Sequence, residues 1–226
     1  VSHADACSHH VVAARLARLL NGYHLDQCSN PHNSECHYRE TGPEIWQQTG
    51  GQLDVFFAGV GTGGTISGTG RLLKERNPDI EIRGVDCEGS VLAPYFLTGE
   101  LGSGAPYHLE GIGDTFIPAN LDLGVLDGFD VVSDAEAFLM ARRLTREEGI
   151  FTGGSGGAVV AAALRHACRQ RQPKRILVLL PDGGNRYTSR IYNDAWMAAQ
   201  GFQEAVTHDR LSEHLTQLLE DRGRLV

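Results

Sequence analysis

Leu53-Asp-Val-Phe-Phe-Ala-Gly-Val-Gly-Thr-Gly-Gly-Thr-Ile-Ser-Gly, residues 53–68, passes from a short apolar run straight into a glycine-rich loop. An apolar run of this length with glycines behind it reads as a buried strand. Ile66–Arg76 then has helical spacing, and Asn77-Pro78 ends it. Glu81-Ile-Arg-Gly-Val-Asp86 is a second strand, so residues 53–86 form a βαβ unit of a parallel sheet. The loop has a physical task. Unpaired amides and the positive end of the following helix converge where glycines let an anion approach, a cradle suited to phosphate.

Outward from this unit, helices and short strands alternate. Upstream, Ser8 can cap a helix with Val11, Val12, Leu16, Leu19 and Leu20 at helical spacing, stopped by Gly22. A polar stretch from Asp26 to about Arg39 reads as loop, and Thr41-Gly-Pro-Glu-Ile-Trp-Gln-Gln as a capped helix with Pro43 in its first turn. Downstream, 88–127 reads as loop, Asp134–Glu148 as a helix, and Gly153-Gly-Ser-Gly-Gly-Ala as the start of a helix reaching about Arg169. Arg175-Ile-Leu-Val-Leu-Leu-Pro is a strand apolar enough to be covered on both faces. Beyond about Ala205 an amphipathic tail carries Leu211, Leu215, Leu218 and Leu219 on one face.

The 226 residues suffice for a sizeable core, with 41% hydrophobic and 21% charged residues. The 28 glycines, about 12% against an ordinary share of about 7%, mark loops that approach something closely. A net charge of −8 without a long basic run excludes a phosphate-backbone footprint, so nucleic acid is not an expected partner. Five scattered cysteines without a Cys-x-x-Cys pair point to reduced thiols and the cytoplasm. No apolar run reaches membrane length, so no membrane partner is expected. The start, polar and histidine-rich, is not a signal peptide, and the missing initiator methionine suggests a fragment or processed product.

Three local patterns compete for the chemistry. Gly59-Val-Gly61-Thr-Gly-Gly64 fits the dinucleotide G-x-G-x-x-G pattern, with Asp86 ending the next strand where a ribose partner belongs. The same glycines could serve tight packing alone, and no Gly-Lys-Ser/Thr closes a Walker loop. Gly153-Gly-Ser155-Gly-Gly157 fits a hydrolase nucleophile elbow followed by Asp182 and His208 or His214 in triad order, although the run before it is a poor strand. Ser155 would equally serve as a helix N-cap. His3, Cys7 and His10, with Cys36-His37 further on, have zinc-like spacing. Because Ser8 caps the helix, the three do not share a helical face, and no metal is expected.

Read together, the loops and their surroundings resemble the fold-type II pyridoxal-phosphate enzymes, cystathionine β-synthase and cysteine synthase (O-acetylserine sulfhydrylase) in particular. The resemblance runs from about Ser8 to Phe202. It is carried by Leu25-Asp-Gln, Asn30-Pro31, His37-Tyr38, Thr41-Gly-Pro-Glu-Ile, Gly59-Val-Gly-Thr-Gly-Gly-Thr-Ile-Ser-Gly, Tyr107-His-Leu-Glu-Gly-Ile-Gly, Phe116-Ile-Pro, Gly153-Gly-Ser-Gly-Gly-Ala and Leu179-Leu-Pro-Asp-Gly-Gly. Glu110-Gly-Ile-Gly, Gly-Gly-Ser and Asn193-Asp-Ala-Trp-Met lean toward cystathionine β-synthase.

The resemblance implies an α/β fold: an open parallel sheet in three αβα layers, tryptophan synthase β-like and incomplete at the N-terminus. Residues 1–205 would be the C-terminal part of the catalytic domain and 206–226 a tail or linker. It implies pyridoxal 5′-phosphate as cofactor, its phosphate held by Gly61, Thr62, Gly63, Gly64 and Thr65, its pyridine nitrogen by Ser155. Glu110, Gly111, Ile112 and Gly113 would line the substrate side, and Asp182 would be at most a structural carboxylate near the ring. The implied reaction is β-replacement on serine or an activated serine by a thiol, with amino-acid and thiol substrates and a homodimer in the complete protein. Such an enzyme needs a lysine for the Schiff base. The chain has only Lys74 and Lys174, neither at the matching place, so the catalytic lysine is expected upstream and the chain alone to be inactive. A nicotinamide-binding oxidoreductase, a serine hydrolase and a lysine-less binding homologue are the readings from other classes.

Overall fold

A computed structural model describes residues 5–202. Its sheet has four strands, β1 (Val55–Gly59), β2 (Glu81–Cys87), β3 (Gly128–Val132) and β4 (Ile176–Val178), all parallel, in the order β3-β2-β1-β4. Eight α-helices accompany it among the described residues: α1 (His9–Leu19), α2 (His32–Cys36), α3 (Gly42–Gln48), α4 (Gly64–Arg76), α5 (Leu92–Thr98), α6 (Asp134–Glu148), α7 (Gly154–Arg169) and α8 (Asp194–Ala199).

Period-two alternation along β1 explains the three layers. Val55 and Phe57 enter one core with Val85, Phe138 and the alanines of α6 and α7; Phe56 and Ala58 enter a second with Ile66, Leu73, Ile80 and Ile82. Both faces of the central strand are covered, as parallel sheets require. The βαβ unit is present as read, with Val55 opposite Glu81 and Gly59 opposite Val85. Helix α6 has the expected bounds, fixed by a capping box: the Ser133 hydroxyl accepts from the Glu136 amide and the Glu136 carboxylate accepts from the Ser133 amide.

Several elements differ from the sequence reading. The polar stretch is not loop. Residues 32–48 form one continuous helical run in which His37–Thr41 is a π turn between α2 and α3. Thr41 lies inside that run with helical dihedrals and caps nothing. The 88–127 stretch holds α5 and a short 3₁₀ turn, Leu123–Val125. Strand β3 was not anticipated; its Asp130 is nearly buried and paired with Arg83 of β2 at 2.7 Å. Strand β4 lies at the sheet edge and is only half-buried, not covered on both faces. Ser155 is not the N-cap of α7; Gly153 is. Helix α1 is capped by Ser8, whose hydroxyl accepts from Val11, but its apolar residues are not core: Leu19 is 69% exposed and Leu20 75%. The tail leucines, His3, His208 and His214 lie outside the described residues.

Candidate active site

The strand order places a topological switch between β1 and β4. Ligands of open parallel sheets bind in the crevice beyond the strands' carboxyl ends at such a point. A cavity of about 420 Å³ lies there, walled by Gly59 at the end of β1 and Gly61 after it, Thr62, Gly63 and Thr65 at the head of α4, and Leu179 and Pro181 after β4.

The loop geometry follows from its glycines. Gly63 has φ +82°, the left-handed region open to glycine at little cost, and it starts α4 with no side-chain cap. A Cβ there would lie 2.5 Å from Leu121 Cα and 2.8 Å from its amide nitrogen. At Gly61 a Cβ would lie 2.8 Å from the Gly111 carbonyl oxygen. The head of α4 thus turns backbone amides toward the cavity with no Cβ at Gly61 or Gly63 in their way and with the Thr62 hydroxyl beside the Gly64 amide at 3.5 Å, a donor set suited to an anion.

The opposite wall is Gly111-Ile-Gly113. Gly113 donates its amide to the Val60 carbonyl at 2.8 Å, and Ile112 is buried against Gly59. Glu110 turns away from this wall, and its carboxylate is ion-paired with Arg190. Gly64 also faces away, toward the Asn33 amide. Ser155, in the first turn of α7, is buried beneath Gly111: a Cβ on Gly111 would sit 3.9 Å from its Oγ. That hydroxyl makes no hydrogen bond among the described residues, so its donor and acceptor capacity is uncommitted. Of the residues expected from the sequence, the structure gathers Gly61, Thr62, Gly63, Thr65, Gly111, Ile112 and Gly113 around the cavity, sets Ser155 just under it, and leaves Glu110 and Gly64 outside.

Among the described residues the competing patterns do not assemble, the candidate triad histidines His208 and His214 lying outside them. Asp86 is fully buried, and its carboxylate accepts from the amides of Cys87 at 2.9 Å and Ala93 at 2.8 Å, seating α5 instead of facing a ribose. One Asp182 oxygen accepts from the Tyr187 hydroxyl at 2.7 Å; the other is buried beside Gly153 without a partner. Among the described residues no three His, Cys, Asp or Glu side chains come together as a metal site. The Lys74 ammonium lies between the Pro78 carbonyl and Asp127, and Lys174 lies near Asp54, both at the opposite, amino end of the strands.

Burial governs the titrating groups near the cavity. The Cys87 thiol is pushed up to about 12 by burial first, then by Asp86 and Asp134, so it is protonated and sits 3.7 Å from the Ile112 carbonyl. Tyr107, which lines the cavity, is likewise raised by burial and by Cys87, and is a neutral phenol. Burial also raises the Asp86 carboxyl above its ordinary value, against the pull of the two amides. The sign follows: a raised folded-state pKa gives stability that is complete at acid pH and lost as pH rises from about 4. Compared with Asp86→Asn, which does not titrate, the native chain is therefore expected to lose relative stability in urea unfolding as pH rises from about 4. A stability difference that stays flat with pH would contradict it.

Sequence reasoning missed the residues behind the loop. Asn33 and His37 reach the hydroxyls of Thr62 and Thr65, and Gln27 lines the cavity from a turn in which Asp26 has φ +43°. The recoverable signal was the four-residue spacing of Asn33, His37 and Thr41, hidden in a stretch whose composition reads as loop.

Comparison with known proteins agrees with this geometry. The pyridoxal-phosphate dependent enzyme family matches residues 2–182. The chain is 42% identical over 208 residues to cystathionine beta-synthase of Apis mellifera, covering 91% of this chain and 41% of that protein. It is 44% identical over 198 residues to that of Oryctolagus cuniculus, covering 87% and 36%. It is 46% identical over 168 residues to cysteine synthase A of Escherichia coli K12, covering 73% and 52%. The chain spans about a third to a half of the length of these relatives. With the family match covering residues 2–182 and a glycine-lined cavity at the switch point, the chain belongs to the pyridoxal-phosphate dependent enzyme family.

Proposed function

We propose that this chain carries the cofactor cradle of an enzyme performing β-replacement on serine or an activated serine with a thiol, in the manner of cystathionine β-synthase, with residues 1–205 as part of its catalytic domain. The observation that carries the reading is the glycine-rich head of α4, with Gly61 and Gly63 leaving its amides open, facing the cavity at the switch point. Gly61, Thr62, Gly63 and Thr65 would bind the cofactor phosphate through amides and hydroxyls, with Gly64 providing the close approach behind them. Ser155 would meet the pyridine nitrogen, while Gly111, Ile112 and Gly113 close the substrate side. Bound there, pyridoxal phosphate supplies an electron sink for removing an α-proton and expelling a β-substituent.

The chain's own part is orientation. A neutral hydroxyl at Ser155 can accept or donate one hydrogen bond but cannot hold a proton on the ring nitrogen as a carboxylate would, which keeps the ring less electron-withdrawing and suits β-elimination. Glu110, paired with Arg190, would brace the wall at Gly111 from outside. Lys74 and Lys174 both lie at the far end of the sheet, so the lysine that such chemistry needs would be a different one in the complete enzyme. Substrates would be a small amino acid and a thiol, and the complete enzyme would act as a homodimer in the cytoplasm. Among the described residues no helix is long and apolar enough to cross a membrane.

The higher identity to cysteine synthase A favours a second reading in which the nucleophile is sulfide. Feeding the complete enzyme serine with homocysteine, and separately O-acetylserine with sulfide, tests the two; turnover only of the second pair would replace the first reading. In that enzyme Ser155→Asp is expected to leave binding of pyridoxamine 5′-phosphate intact while lowering turnover by about two orders of magnitude, because a protonated ring changes the course of elimination. Unchanged turnover would remove Ser155 from the ring nitrogen.

A further inference from the structure

The hydroxyls of Thr62 and Thr65 are each held from behind. Asn33 uses both amide hydrogens, donating to the Gln27 carbonyl at 2.7 Å and to Thr62 Oγ1 at 3.0 Å. The His37 imidazole spans two threonines, with Nε2 3.1 Å from Thr65 Oγ1 and Nδ1 2.9 Å from Thr41 Oγ1. These contacts exist because α4 lacks side chains where it meets α2 and the π turn. A Cβ on Gly64 would collide with the Asn33 amide, and one on Gly68 with the Ser34 carbonyl and, at 2.9 Å, with His37 Cβ.

A threonine hydroxyl has one hydrogen. Where its oxygen already accepts from behind, that hydrogen is left to point forward, into the cavity. Thr62 is in this state through Asn33. For Thr65 the outcome depends on the imidazole. With the proton on Nε2, His37 donates to Thr65 and Nδ1 accepts from the Thr41 hydroxyl; with the proton on Nδ1, Thr65 must donate backwards and loses its hydrogen to the ring. An anion in front of Thr65 selects the first arrangement.

We propose that Asn33 and His37 are positioning residues that aim the hydroxyl hydrogens of Thr62 and Thr65 at the phosphate of the ligand. The chain of donors runs from Thr41 through His37 to Thr65, and from Asn33 to Thr62, each ending in a charge-assisted O–H···O bond. The inference rests on the reading that residues 61–65 hold a phosphate.

The test measures equilibrium binding of pyridoxamine 5′-phosphate, which needs no lysine, and of unphosphorylated pyridoxamine to the 226-residue chain. His37→Gln keeps a donor at the place of Nε2, whereas His37→Asn keeps one only at the place of Nδ1. The expected result is that His37→Asn weakens the phosphorylated probe about tenfold, leaves pyridoxamine unaffected, and is matched by near-normal binding in His37→Gln. With Thr65→Val in place, the change to Asn at 37 is expected to cost nothing more, and Asn33→Leu nothing more with Thr62→Val in place.

Equal losses for the two probes, no difference between the Gln and Asn variants, or losses that persist without the threonine hydroxyls would overturn the inference and leave Asn33 and His37 as packing residues. Failure of the underlying reading looks different. There the native chain would not prefer the phosphorylated probe and Gly63→Asp would not matter, and the inference would fall with it. A preference abolished by Gly63→Asp yet indifferent to positions 33 and 37 would keep the cradle and overturn the positioning role.

Discussion

Replacing Gly63 by aspartate is expected to weaken binding of pyridoxamine 5′-phosphate to this chain by at least about 100-fold, through three effects at one position. The φ of +82° strains any residue with a Cβ. The added carbon would lie within 2.5 to 2.8 Å of the Leu121 backbone, which cannot swing aside as a side-chain tip can. The carboxylate would place a negative charge at the positive end of α4, where it satisfies the amides from within and repels the phosphate. Alanine at 63 separates these contributions, having the strain without the charge, and is expected to lose less. Calorimetric titration of native, Gly63→Ala and Gly63→Asp chains measures the series. An affinity of Gly63→Asp equal to the native one would remove the head of α4 from phosphate binding.

The second large effect concerns stability. Gly157→Leu is expected to destabilise the fold by about 3 kcal/mol or more, since overfilling a packed interior forces backbone apart. Helices α6 and α7 cross at Gly157. A Cβ there would collide with the Ala137 carbonyl and lie 2.7 Å from the Ala141 amide nitrogen, so neither obstacle is a movable side chain. In a chain of this length that cost lowers Tm by about 6–12 °C. Gly102→Leu, at a glycine with nothing within 4 Å, supplies the control and is expected to leave Tm unchanged. A Gly157→Leu chain that melts with the native one would mean that the two helices part freely. The same crossing carries Ser155, so any shift that saves the fold also displaces the proposed ring partner.

How much of this was legible in the sequence depends on where each element draws its stability. The β1–α4–β2 unit could be read because apolar runs and glycine punctuation are local signals. Helix α6 could be read because Ser133 and Glu136 state its start in four residues. In the 32–48 helical run, α3 could be read from Pro43 and the turns after it, but the part before Gly42 could not. Its first part is His, Asn, Ser and Glu with no buried residue, and it is held by tertiary contact with Gly64 and Gly68, which no local pattern expresses. Strand β3 hid behind Asp130, a charge tolerated at 9% exposure only because Arg83 on the neighbouring strand pairs with it.

The site divides in the same way. The glycines of the cradle announce themselves, since their role is to be absent side chains. Ser155 carried two local meanings, cap and nucleophile, and the structure removes the first by giving the cap to Gly153. Asp86 suited a ribose by its place in the chain, yet the fold spends it on seating α5. Glu110 sits in a motif of the substrate wall, yet the turn at Gly111, φ +87°, separates it from that wall and its carboxylate pairs with Arg190.

The contact of α4 with α2 and the π turn through Gly64 and Gly68 also bears on motion. Where helices meet through interdigitated side chains, rotamer changes let them slide. Here the glycines let the helices approach closely, and the Asn33 and His37 side chains that fill the seam are each fixed by two hydrogen bonds. The loop can widen only if whole helices separate, so its amides hold the geometry an anion needs before any anion arrives. The entropy of ordering that loop is lost when the chain folds and is not charged again at binding. A ligand entering this cradle meets a rigid wall, and whatever adaptation it needs must come from the glycine-hinged segment opposite, Gly111 to Gly113.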